Sequence, residues 1–452
     1  TPGGWHVLLD VHTPILGSVR VEGTLEFSQD TKAAVLEAKH VHVVGGSVLA
    51  GTQALPYTGA LAAVVLHAGR DTEEVKLTND LVLGQKFLAA TEGGYIGLFG
   101  RPTGGRWTKL EKVEKSVLTL DDALDIRPGD KLVVTSTSWN WEQAEQVEVA
   151  AVQAGGREVT LAAPLAHSHG GTVLVGDGGE VLLDTRAEVG LLSSNVEVRA
   201  ADGPEQYTAW REKASSLGSE DCHPSNNGRM CAFGCRVLAH GDSSMQLENT
   251  ALWYCGQAGL GRPAVKLDRL TNGTESFVRN SSVALSMDGA VEVSDSPGAE
   301  VSGSVMYESL DVSTLKVESS GVRVLSNLAL GTVKLMGGKA RFDQHKPATF
   351  EVSGAGNAVQ GNVAAGADRF GYDIQGDGCD KGQARGFAGN TAHASLVGLN
   401  LRAAPSGACT SATNFTVHHA WDFGMLVAVT GIDTDVLLDG AVVAGGGPKG
   451  GR

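Results

Sequence analysis

A repeated pattern of short apolar runs between residues 282 and 366 constrains the fold of this chain more than any other feature. The tetrapeptide at 282–285 is echoed at 304–307, at 327–330 and at 362–365. The first two steps are 22 and 23 residues long, and the third is 35, which indicates a repeat that carries an insertion. Within this pattern, as many as three apolar runs alternate with Gly, Ser and Asp residues typical of turns.

Three short strands per repeat predict the coil of a parallel β-helix, because each strand turns one apolar row inward and one polar row outward. A single coil cannot bury its inner row, so coils have to stack. We therefore predict an all-β chain that folds as a right-handed parallel β-helix, a solenoid. A β-sandwich of short strands is the alternative, but sandwiches do not normally repeat a three-strand pattern at a near-constant period.

Composition and charge limit the class of protein. The chain has 452 residues, with 61 glycines and 5% aromatic residues, which suits one long solenoid or two to three domains. Its net charge of −15 argues against a nucleic-acid partner and against anionic membrane surfaces. No apolar run is long enough for a transmembrane segment. The sequence starts in mid-pattern without a signal peptide, so we expect a piece of a longer protein.

Changes of pattern divide the chain into three predicted units. Residues 1–110 alternate apolar and polar positions punctuated by glycine, which predicts N-terminal coils. Residues 111–168 predict a small β-barrel or β-sheet module inserted in the solenoid. Residues 169–452 return to coil patterning, interrupted by a predicted disulfide-tied loop at 201–235.

Glycine-containing elements carry a family resemblance in the first unit, at residues 11–17, 21–25, 44–57 and 97–100. They resemble the eight-glycine domain of fibrocystin, of its relatives and of a group of cell-surface hyaluronidases. Later segments resemble the fibrocystin group as well, at residues 362–366, 390–399 and 421–425. The resemblance implies an eight-glycine domain followed by a parallel β-helix, within a large, membrane-associated cell-surface glycoprotein expected on cilia or flagella.

One departure from the family bears on catalysis. Where the hyaluronidase branch carries a His-Phe-His triplet, this chain has Val265-Lys266-Leu267. Acid–base chemistry needs an imidazole or paired carboxylates there, so the substitution weighs against an enzyme. We expect a non-catalytic structural or interaction module whose solenoid face contacts cell-surface or matrix proteins or glycans. A polysaccharide-degrading enzyme of the hyaluronidase or lyase type is the alternative.

Two groups of residues are metal candidates. His167 and His169 would share one face of a strand and could bind a metal, although a polar turn is the simpler interpretation. Asp373, Asp377 and Asp380 could form a calcium loop or an acid set for polysaccharide cleavage, against the simpler interpretation of a solvated turn beside a disulfide. Calcium is the one cofactor left open.

Other polar residues have structural interpretations. His40 and His42 share a strand face, and we interpret them as solvated and outward-facing. Asparagines recur near equivalent coil corners, where they usually bond to the backbone of stacked turns: Asn249, Asn280, Asn327, Asn362 and Asn390.

An even number of cysteines suggests disulfides formed in an oxidising compartment: Cys222, Cys231, Cys235, Cys255, Cys379 and Cys409. The first four suggest two local bridges, and the last two suggest a Cys379–Cys409 bridge. A zinc site using Cys231 and Cys235 is the alternative, but its downstream partner motif is missing. N-glycosylation tripeptides also favour a secretory route: Asn272, Asn280 and Asn414.

Overall fold

The computed structural model describes residues 1–78, 80–213, 232–310, 312–334, 347–375, 386–402, 410–428 and 436–445. Within these ranges the chain is nearly all β, and parallel sheets are its dominant element. The all-β part of the predicted fold class is therefore confirmed. No helix in the described ranges has the length and apolar character needed to cross a membrane.

The N-terminal region consists of short strands that end at glycine-rich turns. They are β1 (His6–Leu9), β2 (Leu16–Val21), β3 (Thr24–Phe27), β4 (Ala34–Val44), β5 (Ser47–Ala50), β6 (Ala62–Leu66), β7 (Val75–Lys76), β8 (Val82–Gly84), β9 (Phe87–Thr91) and β10 (Tyr95–Phe99). Except for the small β7–β8 hairpin, these strands pair in parallel.

The chain then leaves the parallel sheets. The next strands are β11 (Trp107–Glu114), β12 (Val117–Leu120), β13 (Lys131–Val134), β14 (Glu145–Gln153), β15 (Glu158–Leu161), β16 (Val173–Val175), β17 (Val181–Asp184) and β18 (Glu188–Leu191). Six of them close an antiparallel barrel in the order β11-β12-β15-β14-β13-β18, around its own apolar core. The closing strand β18 lies after residue 168, in the segment that the sequence assigned to the solenoid.

Parallel pairing resumes after the barrel. The strands are β19 (Val196–Ala200), β20 (Arg236–His240), β21 (Ser244–Glu248), β22 (Ala251–Trp253), β23 (Val265–Asp268), β24 (Phe277–Arg279), β25 (Ser282–Ser286), β26 (Val291–Ser294), β27 (Glu300–Ser302), β28 (Val305–Leu310), β29 (Leu315–Glu318), β30 (Arg323–Leu325), β31 (Leu328–Val333), β32 (Ala348–Ser353), β33 (Ala358–Gln360), β34 (Val363–Gln375), β35 (Phe387–Ala388), β36 (Thr391–Arg402), β37 (Thr410–Thr413), β38 (Thr416–His418), β39 (Phe423–Ala428), β40 (Val436–Asp439) and β41 (Val442–Ala444).

Strands that lie one sequence repeat apart pair in parallel, so that Val305 pairs with Ser282 on one side and with Leu328 on the other. The pairs form three ladders. The first ladder is β1-β3-β5-β10-β21-β24-β27-β30-β33-β35-β37-β40. The second is β2-β4-β9-β20-β23-β26-β29-β32-β34-β36-β39, and the third is β4-β6-β19-β22-β25-β28-β31-β34-β36-β38-β41.

The main core lies between the ladders and follows from strand alternation. In β26, Val291 and Val293 are buried in this core, while Glu292 between them points to the other face. Each such buried valine contributes about 1.5–3 kcal/mol relative to an exposed one. The same alternation recurs strand after strand, which makes the core continuous from β1 to β38.

The corner asparagines occupy two adjacent columns. Asn249 and Asn280 adopt a left-handed backbone, with φ of 50° and 43°, a conformation that asparagine tolerates better than most residues. In the next column, Asn327, Asn362 and Asn390 are completely buried. The Asn327 side-chain amide donates to Asn362 Oδ1 at 2.9 Å, and the Asn362 amide donates to Asn390 Oδ1 at 3.0 Å. This ladder of hydrogen bonds confirms the predicted structural role for Asn327, Asn362 and Asn390.

The stretch at 201–235, predicted to be an irregular loop, begins with a helix instead. Helix α1 spans Gly203–Lys213 and buries Tyr207 and Trp210 against the outer face of the third ladder. After it, a disulfide joins Cys235 to Cys255, so Cys235 is not a zinc thiolate. The other cysteines lie outside the described residues, namely Cys222, Cys231, Cys379 and Cys409.

The interpretation of His40 and His42 as solvated side chains is wrong. The His40 ring stacks on Phe87 at 4.8 Å between ring centroids, and its Nε2 lies 2.8 Å from the Ser18 hydroxyl. His42 Nε2 lies 2.9 Å from the Thr91 hydroxyl. Burial lowers the pKa of His42 to about 4, so this ring is neutral at physiological pH.

A candidate binding groove on the parallel sheet

One outward-facing row of the second ladder carries charge on successive strands. In register order the row is Lys266, Glu292, Lys316, Glu351 and Asp373. Neighbouring strands lie about 4.8 Å apart, so the first four residues face alternating charges along the ladder. The residues on either side of each charge are buried, which forces the charged side chains to the outside.

A groove of about 400 Å³ follows this row. Six charged residues line it, namely Asp288, Glu292, Lys316, Glu351, Asp373 and Arg402. Four of these are acidic and two are basic, so the groove has an acidic excess.

The groove carboxylates are held by hydrogen-bond donors. Lys266 Nζ lies 2.8 Å from the Glu292 carboxylate. The Ser313 hydroxyl donates to Glu351 at 2.5 Å. Both carboxylates are therefore held in place by a neighbouring side chain.

Asp373, one of the metal candidates, takes part in the same pattern. Arg402 Nε donates to its Oδ1 at 2.6 Å, and the Asn400 amide donates to the same atom at 3.1 Å. Asp288, at the other end of the groove, accepts from the backbone N–H of Gly289 at 2.8 Å. The row therefore presents carboxylates that hydrogen bonds hold in fixed positions.

Lys316 is the central cation of the row. Burial opposes its charge, but the hydrogen bond to Glu318, at 2.8 Å, and the nearby carboxylates of Glu351 and Glu292 raise its pKa above the usual value. The groove can thus bind hydroxyl, amide and charged groups of a partner through side chains that are fixed in place before binding.

A second polar cluster joins the barrel to the third ladder. The Glu188 carboxylate is fully buried and accepts from Lys109 Nζ and Thr135 Oγ1, both at 2.6 Å. His393 Nε2 lies 3.1 Å from the same carboxylate. Burial would raise the pKa of Glu188, but Lys109 and His393 outweigh burial and hold it well below the usual range. This cluster fastens the barrel to the ladder and has little contact with solvent.

Histidines extend the second cluster outward. The His393 ring stacks on His418 at 4.8 Å with a 6° angle between ring planes, and burial lowers the pKa of His418 to about 2. His419 follows at the edge and packs against Trp139. No local signal could have linked His393 to a glutamate 205 residues away.

His167 and His169 do not come together as metal ligands, and both lie in a loop. His169 is buried, with Nδ1 2.7 Å from the Thr135 carbonyl and Nε2 2.8 Å from the Glu145 carboxylate. His167 is exposed, and its backbone N–H donates to Glu145. The described residues contain no group of three or more His, Cys, Asp or Glu side chains placed to hold a metal ion. Asp377 and Asp380 lie outside the described residues.

Comparison with known proteins identifies one matching domain and several similar proteins. The G8 domain matches residues 1–111. Human fibrocystin-L is 24% identical over 456 residues, which cover 95% of this chain and 10% of that protein. Fibrocystin of Canis lupus familiaris is 27% identical over 452 residues, which cover 96% of this chain and 10% of that protein. This chain thus matches the G8 domain in its first quarter and is similar to the fibrocystins over nearly its whole length.

This chain spans about a tenth of the length of these proteins. The human cell migration-inducing and hyaluronan-binding protein is 26% identical over 231 residues, 47% of this chain and 15% of that protein. Among solved structures, a match to the tailspike of an Acinetobacter baumannii bacteriophage covers 93% of this chain and 64% of the tailspike chain. The two are 9% identical, with a TM-score of 0.25.

The family departure at Val265-Lys266-Leu267 falls in β23 of this fibrocystin relative. Val265 and Leu267 are completely buried, whereas Lys266 points outward at the start of the charged row. The substituted position is therefore adjacent to the groove. In this alignment the two histidines of the expected triplet correspond to the buried Val265 and Leu267, and its phenylalanine corresponds to Lys266.

Proposed function

We propose that this chain is a non-catalytic structural and interaction module of a larger fibrocystin-like cell-surface glycoprotein. Its three ladders form a right-handed parallel β-helix. The chain divides into units at residues 1–110, 111–168 and 169–452, and β18 of the third unit pairs with strands β11 and β13 to close the barrel. The module lies outside the cell, and a ciliary or flagellar membrane is the proposed location. The charged groove is the face that contacts a glycan or protein.

The observation that carries the proposal is that donor side chains already hold the groove carboxylates. Glu292, Glu351 and Asp373 each have a close donor side chain. A catalytic carboxyl group has to exchange a proton with its substrate, whereas these carboxylates are already engaged by cationic or hydroxyl donors at bonding distance. The groove is therefore suited to binding and poorly suited to acid–base cleavage.

Charge also selects among partners. The acidic excess of the groove and the net charge of −15 both disfavour a polyanion. Hyaluronan is the natural comparison, because one relative is named as binding it. We propose that the groove prefers neutral glycans, or protein segments without excess negative charge, to hyaluronan.

The test is incubation of the pure chain with hyaluronan and with neutral and acidic polysaccharides, with and without calcium. Polymer length is followed by size-exclusion chromatography and binding by calorimetry. The expected result is no shortening of any polymer, together with saturable binding of a neutral glycan. Shortening of a polymer would overturn the non-catalytic proposal.

A matched pair of variants locates the binding face. Lys316→Ala removes the central cation of the groove, and Lys112→Ala removes a barrel lysine that is likewise paired with a glutamate two residues later. We expect Lys316→Ala to weaken glycan binding and Lys112→Ala to leave it unchanged. Equal effects would place the binding face elsewhere.

A polysaccharide-degrading enzyme is the second candidate, and one observation favours it. Glu351 and Asp373 face each other on adjacent strands, so two carboxylates lie side by side in the groove. If polymer shortening is seen, Glu351→Gln and Asp373→Asn should each abolish it. Activity that survives both substitutions would exclude this pair as the acid set.

A further inference from the structure

The β16–β17 hairpin projects apolar side chains into solvent. Five of its large apolar residues are between 40% and 62% exposed, namely Val173, Leu174, Val175, Val181 and Leu182. Apolar residues scattered singly over a surface are ordinary, but a contiguous group on one short element marks an interaction site. This group lies on the barrel, apart from the charged groove.

The hairpin has unpaired edges as well as exposed apolar side chains. In the part of the chain that the structure describes, β16 and β17 pair only with each other. A two-stranded hairpin alone is marginally stable in water, and an open strand edge readily accepts a further strand. Its base is nevertheless fixed, because Thr185 N–H donates to the Thr172 carbonyl at 2.9 Å and the Thr185 hydroxyl donates to it at 3.1 Å.

Charge around the hairpin indicates the sign of its partner. Asp177 and Glu180 in the connecting turn are exposed carboxylates. Arg186, which follows β17 in the chain, is already held by Asp184 at 2.7 Å and by Asp121 at 3.1 Å. The tip of the hairpin is therefore acidic, and a complementary partner is basic.

The two edges of the hairpin differ. All three residues of β16 are exposed, whereas Leu183 and Asp184 of β17 are half-buried. The edge of β16 is thus the more accessible of the two. An added strand there would bond to the β16 backbone and cover its apolar side chains at once.

We propose that β16 is a docking edge for an extended protein segment that alternates apolar and basic residues. The segment adds to β16 as a third strand, so that backbone hydrogen bonds and apolar contacts provide affinity and the acidic tip selects basic side chains. The proposal is independent of the groove and of the glycan binding proposed for it.

The test uses a fluorescently labelled peptide of alternating valine and lysine, titrated with the full chain and followed by anisotropy. Two comparison peptides replace lysine by glutamate or place proline at alternate positions, which removes backbone donors. The double variant Leu174→Thr, Val175→Thr removes apolar surface while keeping strand propensity. Leu55→Thr is the matched control, because Leu55 is 72% exposed and lies away from the hairpin.

We expect saturable binding of the lysine peptide, about tenfold weaker binding to the double variant, and no change with Leu55→Thr. The glutamate and proline peptides should bind at least about tenfold more weakly than the lysine peptide. Lack of saturable binding, or equal affinity for the double variant, would overturn the proposal. A wild-type dimer in sedimentation experiments that the double variant abolishes would also overturn it, since the occupant would then be a second copy. Lys316→Ala should leave peptide binding intact, which separates this test from that of the groove.

Discussion

The asparagine ladder allows one stability prediction to be worked out from its contacts. The Asn362 side chain makes four hydrogen bonds, two from its amide to Val324 O and Asn390 Oδ1 and two to its Oδ1 from Asn327 N and Nδ2. In Asn362→Ala the buried Asn327 N–H loses its side-chain acceptor, which costs about 1–3 kcal/mol, and the other three bonds contribute about 1 kcal/mol each at most. We expect the free energy of unfolding to fall by about 1–6 kcal/mol, the sum of these contributions.

The assay is urea unfolding of wild type and variant, followed by circular dichroism at matched protein concentration. Asn414→Gly is the control, because Asn414 is exposed and has a φ of 49°, which glycine adopts without strain. It should change the free energy by no more than about 0.5 kcal/mol. A loss below about 1 kcal/mol in Asn362→Ala would refute the view that this ladder is a significant source of stability.

Three further predictions concern the histidines, the buried ion pair and the disulfide. Burial lowers the pKa of folded His418 to about 2, below its unfolded value, so the free energy of unfolding should fall as pH drops below about 6.5, by up to about 1.4 kcal/mol per pH unit. His418→Phe should reduce this pH dependence in urea titrations at pH 7 and pH 5. An unchanged pH dependence would contradict the assignment to His418. Glu188→Gln leaves a largely buried lysine unpaired and should cost about 3–5 kcal/mol in thermal unfolding, while the exposed Glu114→Gln should leave the melting temperature unchanged. Replacing Cys235 and Cys255 by alanine removes the bridge that closes a 20-residue loop, and it should lower the free energy of unfolding by about 3 kcal/mol, measured by calorimetry. An unchanged free energy would contradict the presence of this bridge in solution.

Much of the architecture could be predicted because it depends on local periodicity. The spacing of Val305 from Leu328 in the next repeat anticipates their pairing, since each coil returns to the same ladder after one repeat. On the other side the repeat aligns Val305 with Val283, whereas the structure pairs it with Ser282, one residue away. The sequence predicts a small β-barrel or β-sheet module at residues 111–168, but two strands of the barrel cross those bounds, since β11 begins at Trp107 and β18 comes from beyond residue 168. Closure of a barrel depends on long-range pairing, which leaves no periodic trace in the sequence.

The candidate site was harder to predict. The alternation of apolar and polar residues shows that Lys266 and Glu292 point outward. It does not show that their strands are neighbours, because that pairing depends on the lengths of the insertions between repeats. His40 was misinterpreted because Phe87, on the neighbouring strand, covers a face that alternation alone assigns to solvent. Helix α1 was missed because its polar sequence lacks an apolar stripe, and two aromatic side chains anchor it instead.

The insertion of the barrel between coils has a consequence for the order of folding. Strands from β22 to β34 pair with partners one repeat away, so these coils can form early through short loop closures. By contrast, β6 pairs with β19 and β10 with β21, across the whole barrel. Closing the barrel first shortens the loop between those ends, so we expect closure to precede their pairing. Nucleation is thus expected in the C-terminal coils, with the G8 domain joining last.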